Sequence, residues 1–234
     1  MSLKEFGKRN SQLVSEVDET NATSLAFKIN KTAKAKEPQI TNDLESLQIS
    51  GRRYLKGLEH KIKEIDSIEN KILSDSKDKK LSVEAAAAKV NDSLRYTMIT
   101  SEENMTTDIT ECISNLIDKN YKVLKFKNLF GEDRYKGVNI VLQSPNGQNF
   151  ELQFHTEKSF IIKDSVNHLH YEVYRNALST EYEKNLAHEV LVETTKAVDM
   201  PEGILDYKLT DALSYRYSNI AELMPEVYAK EHKE

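Results

Sequence analysis

Cysteine is almost absent from this 234-residue sequence: Cys112 stands alone, so no intrachain disulfide and no cysteine-rich metal site can form. Its setting among Ile109, Ile113 and Leu116 marks it as a small core residue. Long apolar runs are missing as well. No stretch approaches the roughly 20 apolar residues that span a bilayer, and the opening MSLKEFGKRNSQLVSE has no apolar core of the kind that directs Sec-type export. The expected location is the cytoplasm, or outside it by a route that reads other signals. Positive charge is not in excess. A net charge of −5 argues against a sequence-independent nucleic-acid binder, which must neutralise phosphates, although a local basic patch is compatible with it. There is also no Walker A loop, no G-x-S-x-G and no CxxC pair.

What is present suits a soluble globular chain. Charged residues make up 30% and hydrophobic residues 38%, too apolar for general disorder. The length allows one substantial domain with helical additions, or one large and one small unit. Residues 1–45 are polar, with few large apolar groups, and read as an arm or short helices. Between Ser50 and Leu73 the residues Tyr54, Leu55, Leu58, Ile62, Ile65, Ile68 and Ile72 recur at spacings of three and four, which predicts an amphipathic helix. SDSKDKK then reads as an exposed loop, and residues 82–90 as a helix with Ser82 as N-cap.

The centre changes period. LRYTMIT (94–100) is rich in β-formers, residues 104–120 carry Met105, Ile109, Ile113, Leu116 and Ile117 on one helical face, and YKVLKFK (121–127) alternates as a half-buried strand does. KGVNIVLQ (136–143) and NFELQFH (149–155) flank Asn146-Gly147 and predict a β-hairpin. Beyond Lys158 the pattern is helical, broken near Met200–Gly203. The expected fold is α+β: a mixed β-sheet of about four to five strands, nucleotidyltransferase-like, flanked by N- and C-terminal helices. The expected division is 1–45, a central unit 46–178, and a C-terminal helical extension 179–234.

In the last strand Glu151, Gln153 and His155 share one face, opposite Phe150, Leu152 and Phe154. The polar row fits a solvated surface or a ligand-facing sheet with a carboxylate for Mg²⁺ or proton transfer. Asp92 precedes a strand, with Arg95 behind it; it can cap a turn, or share a cation with a second carboxylate against a triphosphate. Arg134-Tyr135-Lys136-Gly137 offers an aromatic ring, a cation and close backbone approach, and equally suits a surface turn. His168, Tyr171, Glu172 and Arg175 form one stripe on the following helix, with Ser159 and Lys163 upstream. The spacing of His155, His168 and His170 matches no zinc motif.

The order of these pieces is more specific than any one of them. D-x-L-R-Y-T (Asp92–Thr97), Y-K-G-V-N (Tyr135–Asn139), F-E-L-Q-F-H-T (Phe150–Thr156) and S-x-x-x-K-x-x-x-x-H-x-x-Y-E (Ser159–Glu172) together resemble the synthetase domain of the RelA/SpoT family. GRRYLKGLEHKI (Gly51–Ile62) is similar to the basic segment that grips ATP phosphates there. The resemblance spans about residues 50–175. It implies that Asp92 and Glu151 hold Mg²⁺, with Glu151 also activating the attacking hydroxyl. It implies that Tyr135 stacks on the acceptor base with Lys136 near phosphate, and that Arg53, His60 and Lys61 face the donor triphosphate. Arg95, Asn139, Gln153, His155, Lys163, His168 and Tyr171 would line the rest.

Four positions depart from the family pattern: Arg95 replaces a Gly, Thr97 an Arg, Asn139 a His and His155 an Arg. These changes imply a donor held differently, another substrate, or lost catalysis. The F-E-L-Q-F-H-T phrase also resembles a phage- and toxin-associated branch, which implies a bacterial toxin or effector. The implied activity is Mg²⁺-dependent transfer of a pyrophosphoryl or nucleotidyl group from ATP to a nucleotide or tRNA acceptor. The alternative is a nucleotide-binding or protein-interaction module of the same fold without catalysis. Leu186, Val190, Leu191, Leu205, Leu209, Leu213 and Ile220 could cover the core or dock a protein partner.

Overall fold

The computed structural model describes residues 3–175 and 179–233, with side chains from residue 18 onward except that of Arg175. At its centre is a five-stranded mixed sheet in the order β1-β2-β5-β4-β3. The strands are β1 (Arg53–Lys56), β2 (Arg95–Thr100), β3 (Lys122–Asn128), β4 (Val138–Gln143) and β5 (Asn149–His155). β2 and β5 run parallel; every other pair is antiparallel. The 138–155 hairpin forms as expected, with Gly147 supplying the positive φ of 79° in its turn.

One face of the sheet is the core. Tyr96, Met98, Ile140, Leu142, Phe150, Leu152 and Phe154 point into it, each at most 1% exposed. Helix α4 (Met105–Asp118) covers this face with Met105, Ile109, Cys112, Ile113 and Leu116, which confirms Cys112 as a core residue. Burial raises its thiol pKa to about 12 and leaves it inert.

The first 45 residues differ from the arm or short helices expected. Residues 3–45 form one helix, α1 (Leu3–Glu45), with Pro38 inside it. The buried stripe is Ala22, Ala26, Asn30, Ala33, Ile40 and Leu44, so close approach by small side chains replaces the bulky apolar face that signals an amphipathic helix. Its second half joins the sheet core. Its first half packs with α2 (Ile65–Lys79) and α3 (Val83–Ala87) in a smaller cluster of Ala22, Ala26, Ile68, Ile72, Val83 and Ala86.

Residues 50–73 are not the single helix their spacing predicts. Gly51 and Gly57, at φ 75° and 71°, bracket β1. Leu58 begins a short 3-10 turn, Ile62 bridges to Leu94, and only Ile65, Ile68 and Ile72 lie on α2. The expected loop SDSKDKK continues α2, laced by Lys71–Asp75 and Lys79–Asp75 pairs at 3.7 and 2.7 Å. The helix stops at Lys80, which takes the left-handed conformation. Ser82 caps α3 by accepting from the Ala85 N–H, as the sequence suggests.

After β5 come α5 (Glu157–Ile161), a π-helical turn (Ile162–Val166), α6 (Asn167–Arg175) and α7 (Glu181–Thr195). Helices α8 (Leu209–Ser214), α9 (Ile220–Leu223) and α10 (Pro225–Glu231) follow. Leu191 and Leu209, Leu213 and Ile220 are buried, the last three in the sheet core, whereas Leu186 and Leu205 are 51% and 60% exposed. Among the described residues no helix is long and apolar enough to cross a membrane. The expected boundary at residue 178 lies outside the described residues.

One polar contact ties β1 to the helical layer. Arg53 and Asp108 are both buried and pair at 2.8 Å, with Arg52 Nε also 2.8 Å from Asp108 and Glu111 and Thr100 completing the cluster. Replacing Asp108 by Ala strands two guanidinium groups. The expected loss is about 3–5 kcal/mol in urea unfolding; a loss below about 1 kcal/mol would mean that Glu111 alone neutralises them.

Candidate functional site

The opposite face of the sheet is polar, and strand register arranges it in ranks. One rank crosses all five strands: Lys56, Thr97, Gln153, Asn139 and Lys127. The next is Arg95, Glu151, Val141 and Lys125. Alternation along each strand sends these side chains away from the core, and neighbouring strands bring them within reach of one another. Glu151 is the only acid in the two ranks, with Arg95, Lys125 and Lys127 in the same or the adjoining rank.

The helical segment after β5 roofs part of this face. Thr156 and Ser159 form a capping box that starts α5 directly off the strand. The π turn that follows, a rarity in soluble helices and common at functional sites, carries Lys163. Its Nζ donates to Gln153 Oε1 at 3.3 Å, and Gln153 Nε2 donates to Glu151 Oε1 at 2.7 Å. Lys163 and Lys56 lie 5.0 and 4.9 Å from the centroid of the Phe160 ring. Burial, reinforced by Arg95, lowers the Lys163 pKa to about 8. Lys127 is also lowered, by burial and then by Lys125.

His155 is fully buried at the inner end of the face. Its Nδ1 is 2.9 Å from Ser159 Oγ and its Nε2 is 2.8 Å from the Tyr135 hydroxyl, which lies 2.9 Å from Asn139 Oδ1. The Tyr135 and His155 rings meet edge to face at 5.3 Å. Burial, with Lys163 and Arg95 adding repulsion, holds the imidazole neutral well below its ordinary pKa. Gly137 lies against the same ring: a Cβ there would sit 2.7 Å from its Cε1.

Asp92 lies at the edge of the face, before β2. Its Oδ2 accepts from Lys63 Nζ at 2.6 Å, while its buried Oδ1 has no hydrogen-bond partner. Burial opposes ionisation, but Lys63, with Lys71 and Arg95, outweighs it and holds the carboxyl below its usual range. Among the described residues no three His, Cys, Asp or Glu side chains gather into a metal cluster.

The fold therefore brings Arg95, Tyr135, Asn139, Glu151, Gln153, His155 and Lys163 onto one face, with Asp92 at its edge. Tyr171, 52% exposed, is close enough to influence the Tyr135 hydroxyl. Other candidates lie elsewhere. Arg53 points through the sheet to Asp108, because β1 is a strand and alternation turns it inward. His60 is exposed beside Glu59, and Lys61 pairs with Glu37 of α1 at 3.1 Å. Lys136 turns back to the carbonyls of Phe130 and Glu132, and His168 is exposed. The Arg175 side chain lies outside the described residues.

Sequence reasoning missed Lys56, Lys125 and Lys127. A bulge in β3 between Val123 and Lys125 lets Val123 and Phe126 both face the core while Lys125 and Lys127 face the site. Strict alternation cannot reveal that arrangement.

No protein-family model matches the chain, and no curated protein does. Solved structures do. A GTP pyrophosphokinase family protein from Streptococcus pneumoniae aligns at 15% identity and TM-score 0.41, over 84% of this chain and 91% of that one. The small alarmone synthetase 1 from Bacillus subtilis, bound to its product pppGpp, aligns at 15% and 0.43, over 80% and 87%. The type VI effector Tas1, solved with its immunity protein, aligns at 15% and 0.44, over 76% and 98%. The chain resembles small alarmone synthetases. This likeness concerns the fold and carries no functional argument; the chemistry is argued from the side chains.

Gly137→Ala tests how tightly the Tyr135–His155 pair is built. The added methyl must displace an imidazole held at both nitrogens, so stability should fall by about 1–3 kcal/mol in urea unfolding. Unchanged stability would mean that the loop shifts freely.

Proposed function

We propose that the polar face binds nucleotides and that the protein transfers a pyrophosphoryl or nucleotidyl group from ATP to a hydroxyl of a nucleotide or tRNA acceptor. The observation that carries this reading is the rank geometry: one carboxylate, Glu151, set among Arg95, Lys125, Lys127 and Lys163, with Lys56 at the end of the central rank and the neutral Thr97, Gln153 and Asn139 between. Phosphoryl transfer needs little covalent help from protein; it needs cations on the phosphate oxygens and an acceptor for one proton. This face offers both.

The donor set fits Mg²⁺. Asp92 keeps an unpartnered buried oxygen, and Glu151 has one oxygen engaged by Gln153. Mg²⁺ is commonly held by one or two carboxylates while waters and substrate phosphates complete its shell, so a third protein acid is not required. Asp92 and Glu151 would hold the ion, which would neutralise phosphate charge and orient the donor. In the transfer itself the acceptor oxygen bonds to the donor phosphorus as the bond to the bridging oxygen breaks. The leaving group departs with that oxygen: the nucleoside monophosphate in pyrophosphoryl transfer, pyrophosphate in nucleotidyl transfer. Glu151 receives the hydroxyl proton, Arg95 and Lys163 face the phosphates, and Tyr135 offers its ring to the acceptor base. Action as a bacterial toxin or effector, in the cytoplasm or after non-Sec export, belongs to the same proposal.

A second reading, a nucleotide-binding or protein-interaction module of the same fold without catalysis, has its own support. Both nitrogens of His155 are satisfied inside the protein, and Arg53, the one implied donor-binding arginine in the first segment, is buried against Asp108.

Incubation with labelled ATP, Mg²⁺ and GDP, GTP, ADP, AMP or tRNA distinguishes the two. Transfer that Glu151→Gln lowers by about 100-fold or more supports catalysis; nucleotide binding without transfer to any acceptor supports the second reading. Nucleotide binding should also take up protons. With Lys163 half-charged near pH 8, a bound phosphate restores the ammonium, so uptake approaches about half a proton at that pH and shrinks below pH 7. Calorimetry in two buffers of different ionisation enthalpy measures it, and Lys163→Met should abolish it.

A further inference from the structure

Gln153 is only 4% exposed, although it lies in the central rank between Glu151 and the roof. Both ends of its amide are engaged: Nε2 on the Glu151 carboxylate and Oε1 on the Lys163 ammonium. This orientation is forced. The flipped amide would aim its N–H groups at an ammonium and its oxygen at a carboxylate, two repulsive contacts. Lys163 is held from behind by the Phe160 ring at 5.0 Å and placed by the π turn.

We infer that Gln153 is a positioning residue whose amide holds Lys163 off the Glu151 carboxylate and so keeps that carboxylate open to an incoming ligand. This rests on the reading of Glu151 as a site residue. Without the amide, the half-buried ammonium is left with two carboxylates in reach, Asp164 on its own turn, which is exposed to solvent, and Glu151 on the sheet face toward which Gln153 already directs it. A carboxylate locked to a lysine offers less to an Mg²⁺ ion or an acceptor hydroxyl. The bridge costs the site nothing in charge. It keeps a cation available for phosphate on one side and an unpaired carboxylate oxygen on the other. A glutamine fits where a glutamate would pair with Lys163 and repel Glu151.

The test is a mutant cycle with Gln153→Ala and Lys163→Met. Gln153→Ala should lower kcat about 10- to 100-fold while nucleotide KM changes less than about threefold, because the chemistry at Glu151 is lost and not the binding. Lys163→Met alone should reduce activity, yet in the Gln153→Ala background it should raise it, since the group that captures Glu151 is gone. Additive losses would overturn the inference and make Gln153 and Lys163 two independent ligand contacts. Gln153→Met, which keeps the volume without the amide, should repeat the kcat loss if the Ala variant folds poorly. A crystal structure of either variant reads the same point without activity. Lys163 Nζ within about 4 Å of a Glu151 oxygen supports the inference; an ammonium that stays beyond that distance overturns it. If the wild-type protein transfers nothing, the proposed reaction falls, and the structural comparison still decides the role of Gln153.

Discussion

Strand β5 lies in the middle of the sheet, hydrogen-bonded on both sides, and its two faces do unrelated work. Phe150, Leu152 and Phe154 are fully buried on one side, each contributing about 1.5–3 kcal/mol of apolar burial. Those contacts fix the register, and register cannot slip without turning the aromatic residues outward. Glu151, Gln153 and His155 are therefore held on the other side by packing they do not take part in. The candidate site inherits its precision from the core beneath it.

Above the sheet the constraint is electrostatic. Arg95, Lys125, Lys127 and Lys163 share a face whose central acid is Glu151, and burial first, with Arg95 beside Lys163 and Lys125 beside Lys127 adding to it, lowers the proton affinity of Lys163 and Lys127. Neutral side chains manage it. The Gln153 amide separates opposite charges, the Phe160 ring receives two ammonium groups, and His155 stays uncharged between Ser159 and Tyr135. Uncompensated positive charge beside a lone carboxylate costs stability, and a phosphate-bearing ligand would relieve it.

Much of the central unit was readable because periodicity reports burial. The hairpin of β4 and β5, the amphipathic α4 and the Ser82 cap each follow from local pattern or cap chemistry. Where local pattern and tertiary packing disagree, reading failed. The apolar spacing in 54–72 suits a helix, but two glycines and the open edge of β2 draw Arg53–Lys56 into the sheet. In α1 the buried stripe runs through Ala22, Ala26, Asn30 and Ala33 before its two bulky residues, Ile40 and Leu44, and so carries too little apolar weight to announce a packed helix.

The sequence by itself determined the alternation of β5, the succession of motifs and the residue types available for phosphate chemistry, because these are properties of neighbours along the chain. Only the tertiary structure decided which of those residues meet. Whether Arg53 serves a ligand or Asp108 depends on the face β1 presents. Whether Lys125 and Lys127 reach the site depends on a bulge. Whether Lys163 touches Glu151 or Gln153 depends on a single π-helical turn. These are distances between segments far apart in the chain, and no local pattern encodes them.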